Sequence, residues 1–243
     1  MAHSSPWGTG MTPLLSRRAV VRSLLEGSAA LALSGRAFAQ PPAGEEVVFR
    51  ADRNGDEIGW HRLAFTTEGE RLLVEVEIRF DVTFAFLTLY SYRHRSRETW
   101  QGPRLVGLDT TTDDGGEQFA VQAAAEGDRL VVETAAGDVL DLPGDTLPTS
   151  YWHERTVGVS QWLDTQSGRL MRSTVERLGV EQVETAKAPL TATRYRLEGD
   201  LSCELWYADQ RWCKLRFRAS DGSTIDYVLE SRLIDHAAWT GRT

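Results

Sequence analysis

Between Arg71 and Val82 the sequence alternates. Leu72, Val74, Val76, Ile78, Phe80 and Val82 interleave with Arg71, Leu73, Glu75, Glu77, Arg79 and Asp81. In an extended chain successive side chains point to opposite faces, so this pattern builds a strand with one dry and one wet side. A dry strand face must be covered, which commits the chain to a sheet with a buried inner surface. Turn signals recur at the spacing of all-β proteins. Asn54-Gly55 is the strongest, because a two-residue hairpin turn needs positive φ. Others fall at Gly69, Gly102, Gly115-Gly116, Gly127, Gly137, Gly168, Gly199 and Gly222. Arg-Leu follows at once at Arg71-Leu72, Arg104-Leu105, Arg129-Leu130 and Arg169-Leu170, which reads as shared turn chemistry: a charge at the strand edge, then an inward leucine. Almost no stretch after residue 40 keeps a helical period. The fold is therefore predicted as all-β, a single-domain antiparallel meander of about a dozen strands closing into a barrel or curved half-barrel. The β domain is expected over residues 46–233, with a short N-terminal tail at 40–45 and a C-terminal tail at 234–243.

The first 39 residues do not fit that pattern. Arg17-Arg18 and Arg22 precede a weakly apolar run from Ser23 to Leu33, interrupted by Glu26 and Gly27, and Ala37-Phe38-Ala39 follows. A charged region, a short apolar region and small residues at an A-x-A site make a secretory signal, and the paired arginines give it a twin-arginine character. Export to the periplasm or beyond is expected, with cleavage near Ala39 and translation beginning at Met1 or Met11. Gln40 stands where a lipoprotein would need Cys. No run is long enough to cross a membrane, so a soluble product without a transmembrane segment is expected. The chain carries 27 Lys+Arg against 35 Asp+Glu, a formal net charge of −8. That balance repels phosphate backbones and anionic lipid, which argues against nucleic-acid binding.

Pro143 to Gly168 breaks the alternation and holds Pro148, Tyr151, Trp152, His153 and Trp162. A long irregular segment in a compact domain is functional or disordered, and its aromatics oppose disorder. It is expected either to plug one end of the barrel or to wall a ligand site. Phe80, Phe84, Phe86, Tyr90 and Tyr92 are expected along one long strand region with a bulge near Phe86 to Leu89, most of them in the core.

Several stretches resemble a family of exported bacterial proteins grouped as a domain of unknown function. They are Ile58-Gly59-Trp60-His61, Tyr92-Arg93-His94-Arg95-Ser96, Leu147 to Trp152, Asp164 to Leu170, and Leu205-Trp206-Tyr207. The resemblance implies a cell-envelope β protein and supplies no reaction and no catalytic residue.

Motifs of known chemistry are missing. His61, His94, His153 and His236 show neither H-x-H nor H-E-x-x-H spacing, so no metal site is expected. No G-x-S-x-G elbow or phosphate loop occurs, and Asp113-Asp114 sits in turn sequence. No catalytic residue and no cofactor are assigned. On a strand His94 shares a face with Tyr90, Tyr92 and Ser96, while Arg93, Arg95 and Arg97 take the other. Those arginines pair with nearby acids or meet an anion at a cavity mouth. The candidate ligand-binding set is Tyr90, Tyr92, His94, Tyr151, Trp152, His153 and Trp162. The function that fits best is a non-catalytic periplasmic β protein holding an apolar or amphiphilic ligand, lipid-like or another small molecule, or an envelope protein partner. The alternatives are a hydrolase- or lyase-type enzyme with His94 or His153 beside Tyr151, and a structural envelope protein.

Cys203 and Cys213 would favour a disulfide in an exported chain. A three-residue turn at Ala208-Asp209-Gln210 opposes it. That register sets Leu205 against Cys213, Cys203 against Leu215 and Trp206 against Trp212, leaving the cysteines diagonal and about 7–8 Å apart. Two free, buried thiols are expected.

Overall fold

The computed structural model describes residues 41–42, 44–84 and 87–234. The predicted signal segment, its cleavage site, Phe86 and His236 lie outside the described residues. Fifteen strands follow in chain order: β1 (Glu45–Arg53), β2 (Asp56–Glu68), β3 (Arg71–Phe84), β4 (Leu87–Gln101), β5 (Arg104–Asp114), β6 (Glu117–Glu126), β7 (Arg129–Thr134), β8 (Val139–Pro143), β9 (Leu147–Pro148), β10 (Gln161–Leu163), β11 (Leu170–Val183), β12 (Leu190–Gly199), β13 (Cys203–Ala208), β14 (Arg211–Arg218) and β15 (Thr224–Ile234). A single 3-10 turn spans Glu154–Gly158, and no α-helix occurs among the described residues.

All strands join one sheet in the order β8-β7-β6-β5-β4-β3-β2-β1-β15-β14-β13-β12-β11-β10-β9. Every neighbouring pair is antiparallel except β9 and β10. Two meanders thus meet where the first strand pairs with the last, from Glu45 opposite Ile234 to Arg53 opposite Ile225. The ladder is not closed, because β8 and β9 are its two edges. Only residues 144–146 separate those edges in sequence, so the sheet curls until its ends approach.

Side-chain alternation explains which face is inside. Phe49 and Ala51 on β1, Leu72 and Val74 on β3, and Leu205 on β13 are wholly buried. The outer face carries ion pairs instead. Arg97 donates to Glu75 at 3.0 Å, Arg95 to Glu77 at 3.4 Å, and Arg93 to both oxygens of Asp81 at 2.8 Å. The arginine-rich strand therefore meets its own acids across the β3–β4 ladder, and such exposed pairs contribute about 0–1 kcal/mol each.

Asn54-Gly55 forms the expected hairpin turn, with φ of 52° and 96°. Gly59 allows a second feature. Its φ is 146°, and a Cβ there would lie 1.9 Å from the carbonyl oxygen of Arg79. The β1–β2 register slips at this point, and β2 stops pairing with β3.

Two sequence expectations need correction. The aromatic stretch from Phe80 to Tyr92 is not one strand: Phe84 of β3 pairs antiparallel with Leu87 of β4, although the sequence between them offers no Gly, Pro, Asn or Asp. Tyr90 is consequently exposed rather than core, and so are its neighbours Leu87 and Leu89. The cysteine hairpin also differs. Asp209 and Gln210, with φ of 49° and 65°, form a two-residue turn, and a bulge follows. Cys203 then faces Phe217, Leu205 faces Leu215 and Trp206 faces Lys214. The cysteines are nonetheless free and buried. Burial pushes the Cys203 thiol up to about 12 and the Cys213 thiol up to about 11.

Candidate functional site inside the curl

The irregular segment from Gly144 to Arg169 lies inside the curl, because side chains from many strands reach it. Trp152 packs edge-on against Phe65 of β2 and Trp100 of β4. The Thr110 hydroxyl of β5 donates to the carbonyl of Thr165 at 2.8 Å. The Tyr207 hydroxyl of β13 donates to the carbonyl of Tyr151 at 2.8 Å, and the Tyr151 ring meets Trp212 of β14. Trp162 and Leu163 are fully buried, and the Trp162 indole donates to the carbonyl of Thr156 at 3.0 Å. This segment fills the interior. The space left beside Trp100, Ser150 and Trp152 is about 10 Å³, roughly what one water requires.

The inner face of β4 presents Tyr92, His94, Ser96, Glu98 and Trp100 in succession. His94 is buried, and its Nδ1 lies 2.8 Å from the Thr112 hydroxyl of β5. Tyr92 stacks between Phe80 and His94 and donates its hydroxyl to Gln166 Oε1 at 3.0 Å. Ile78 of β3 pairs with both His61 and His94, so the two imidazoles share one rung of the sheet. His61 is caged by Phe49, Trp212 and Tyr227, with ring centroids 6.2, 5.2 and 5.5 Å away. Neither of its nitrogens has a partner. Burial, with a smaller contribution from His94, pushes the His61 imidazole down to about 3. Burial pushes His94 down to about 4, against the pull of Asp164.

Four rungs further along β4, Glu98 is completely buried. Its Oε2 accepts from the Trp100 indole at 2.8 Å and the Trp152 indole at 3.1 Å, while Oε1 has no partner. Burial holds this carboxyl above the ordinary range, against the pull of the neighbouring Trp100, Ser150 and Trp152 side chains. The Ser96 hydroxyl between His94 and Glu98 is also buried without a partner. Tyr92 and Tyr151 are raised well above ordinary phenols, first by burial and then by Asp164 and Tyr227 among others.

The residues singled out from sequence divide into three groups. Tyr92, His94 and Tyr151 share the surroundings of Asp164. Trp152, His153 and Trp162 hold the irregular segment in place: His153 Nδ1 caps the 3-10 turn by accepting from the Arg155 N–H at 2.9 Å. Tyr90 stands apart at the sheet's rim, where its hydroxyl donates to Asp114 at 2.6 Å. Sequence reasoning did not single out His61, Ser96, Glu98 or Tyr227. The one signal available was the alternation itself, which sets Ser96 and Glu98 on the face of His94. Chemically, this interior can hold an uncharged polar group among aromatic rings. General acid–base work is most efficient near the operating pH, and burial draws both interior imidazoles far below it.

No helix among the described residues is long and apolar enough to cross a membrane. A crystal structure of a beta-barrel-like protein of a domain of unknown function, DUF1849, from Brucella abortus superposes with a TM-score of 0.58. The match covers 81% of this chain and 100% of that one at 12% identity, a likeness of fold alone. Among curated proteins nothing matches. The family model for a domain of unknown function, DUF6134, matches residues 49–230, from the first core strand to the last. The chain is a member of the DUF6134 family.

Proposed function

We propose that this is an exported, non-catalytic protein of the cell envelope that binds an apolar or amphiphilic ligand against the inner face of its curled sheet. One observation carries the reading. Four interior polar atoms lack partners: both nitrogens of His61, the Ser96 hydroxyl and Glu98 Oε1. Burying a polar group without a hydrogen bond costs about 1–3 kcal/mol, so a row of such groups calls for something to satisfy it. Their surroundings are aromatic, which suits a molecule with an apolar body and one uncharged hydrogen-bonding group. The space beside Trp100, Ser150 and Trp152 is only about 10 Å³, so a ligand larger than water enters there as the Gly144–Arg169 segment gives way. Tyr92, His94 and Tyr151 are the residues we assign to the surroundings of that ligand. The twin-arginine pattern and the Ala37-Phe38-Ala39 site support export.

Native mass spectrometry of protein purified from the cells that make it tests the reading. A stoichiometric lipid-like or small molecule, retained by the wild type and lost from His61→Phe, is expected. A bare polypeptide in every preparation rejects it.

A further inference from the structure

The β3–β4 hairpin outruns the rest of the sheet. Pairing between β2 and β3 stops at Gly59 opposite Phe80, and pairing between β4 and β5 stops at Tyr92 opposite Asp114. The hairpin itself continues through Asp81–Ser91, Val82–Tyr90, Thr83–Thr88 and Phe84–Leu87. It therefore leaves the rim as a two-stranded ribbon with no strand on either side, reaching about 10–13 Å beyond it at 3.2–3.4 Å per residue. Five large apolar side chains are exposed among the described residues, and three sit on this ribbon: Leu87 at 64%, Leu89 at 62% and Tyr90 at 40%. From Val82 to Tyr92 the sequence has no charged residue. The last charges at its base are Asp81 and Arg93, diagonal neighbours across the ladder that pair at 2.8 Å.

We propose that this ribbon is a docking tip for the surface of a zwitterionic lipid bilayer. Size favours lipid over a folded partner. Leu87, Leu89 and Tyr90 are few against the roughly 20–30 residues that a standard protein interface uses on each side. A handful of apolar side chains is enough for reversible insertion at the boundary between headgroups and acyl chains, about 5–10 Å deep. Charge points the same way. The Asp81–Arg93 pair at the ribbon's base is neutral overall, and the chain's net charge of −8 opposes an anionic surface. Tyr90, apolar in its ring and tied by its hydroxyl to Asp114, has the character of residues found at membrane–water interfaces. The proposal does not depend on an interior ligand.

Cosedimentation of the full chain with phosphatidylcholine vesicles tests it. The wild type is expected to partition onto them and to stay bound in 0.5 M NaCl, where the screening length is about 4 Å. Leu87→Glu/Leu89→Glu is expected to bind at least about tenfold more weakly, since two inserted leucines are lost. Leu87→Ser/Leu89→Ser serves in its place should the first variant not fold, as judged by near-ultraviolet circular dichroism. Val139→Glu/Val180→Glu, which alters two equally exposed side chains elsewhere, is expected to bind as the wild type does. Three results overturn the proposal: no partition of the wild type, binding only to vesicles containing phosphatidylglycerol with release by salt, or a self-associated state that the ribbon variants abolish while vesicle binding is unchanged.

Discussion

The indole N–H of Trp152 donates to Oε2 of Glu98 across 3.1 Å, joining the segment inside the curl to the wall that surrounds it. Trp152→Phe removes this donor and leaves a buried carboxyl less satisfied. A loss of about 1–3 kcal/mol is expected in urea unfolding.

The Glu98 carboxyl also makes stability depend on pH. Burial raises its proton affinity in the folded chain above that of the unfolded chain. Its stabilising contribution is therefore complete at acid pH, below the unfolded value, and is lost as pH rises through the raised folded value. Glu98→Gln removes that dependence. The variant should gain on the wild type as pH is raised from about 4 to 8, in parallel urea titrations. A constant difference across that range would mean that Glu98 is not held protonated.

His61 behaves in the opposite sense. Its folded value of about 3 lies below the ordinary imidazole value of 6.5, so the unfolded chain binds its proton first. Stability from this group is present above pH 6.5 and declines as pH falls toward 3, by up to about 1.4 kcal/mol per pH unit. His61→Phe should flatten the acid limb by one proton and leave stability at pH 7 equal or higher, since two unpartnered nitrogens are removed. An unchanged acid limb would assign the effect to His94, held at about 4.

Gly59 tolerates no side chain. A Cβ would collide with the Arg79 carbonyl oxygen at 1.9 Å, and φ is 146°. Gly59→Ala should lower the thermal midpoint substantially, by about 2–4 kcal/mol in stability, because the clash is with backbone and cannot rotate away.

The cysteines should be silent until the chain opens. Thiols pushed up to about 12 and 11 carry almost no thiolate at pH 8. Alkylation without reductant should add nothing to the folded protein and two labels to the unfolded one. No label after unfolding would mean a disulfide.

Export should depend on Arg17-Arg18. With both replaced by lysine, fractionated cells are expected to retain the chain in the cytoplasm as precursor, and the wild type is expected to lose its first 39 residues. Undiminished export would reject the twin-arginine route and leave secretion by another one standing.

Much of the sheet was legible because alternation and turn chemistry are local. Leu72 to Phe80 declared their inner face residue by residue, and Asn54-Gly55 declared its own turn. The passage from β3 to β4 declared nothing, because Phe84 to Leu87 is apolar throughout and reads as strand. In the Cys203–Cys213 hairpin, cross-strand chemistry suggested pairing Trp206 with Trp212, but Asp209 and Gln210 adopt positive φ and set a tighter turn. Glu98 went unremarked for a different reason. A glutamate beside an arginine-rich run looks like surface, and only the closing of Trp152 over it makes it core. Such contacts join distant parts of the chain, and no local pattern encodes them.

The seam between β1 and β15 has a consequence for how the protein is made. Among the described strands, the one synthesised first waits for the one synthesised last, with 170 residues, 54–223, between them. Until β15 emerges, β1 and β14 are bare edges, each able to recruit a foreign strand. Joining them closes a very long loop, which makes this step slow. A chain cut short before Thr224 keeps both edges open and should accumulate as aggregate. Completing the seam before crossing a membrane, as a route for folded cargo permits, would keep those edges from ever meeting the crowded envelope.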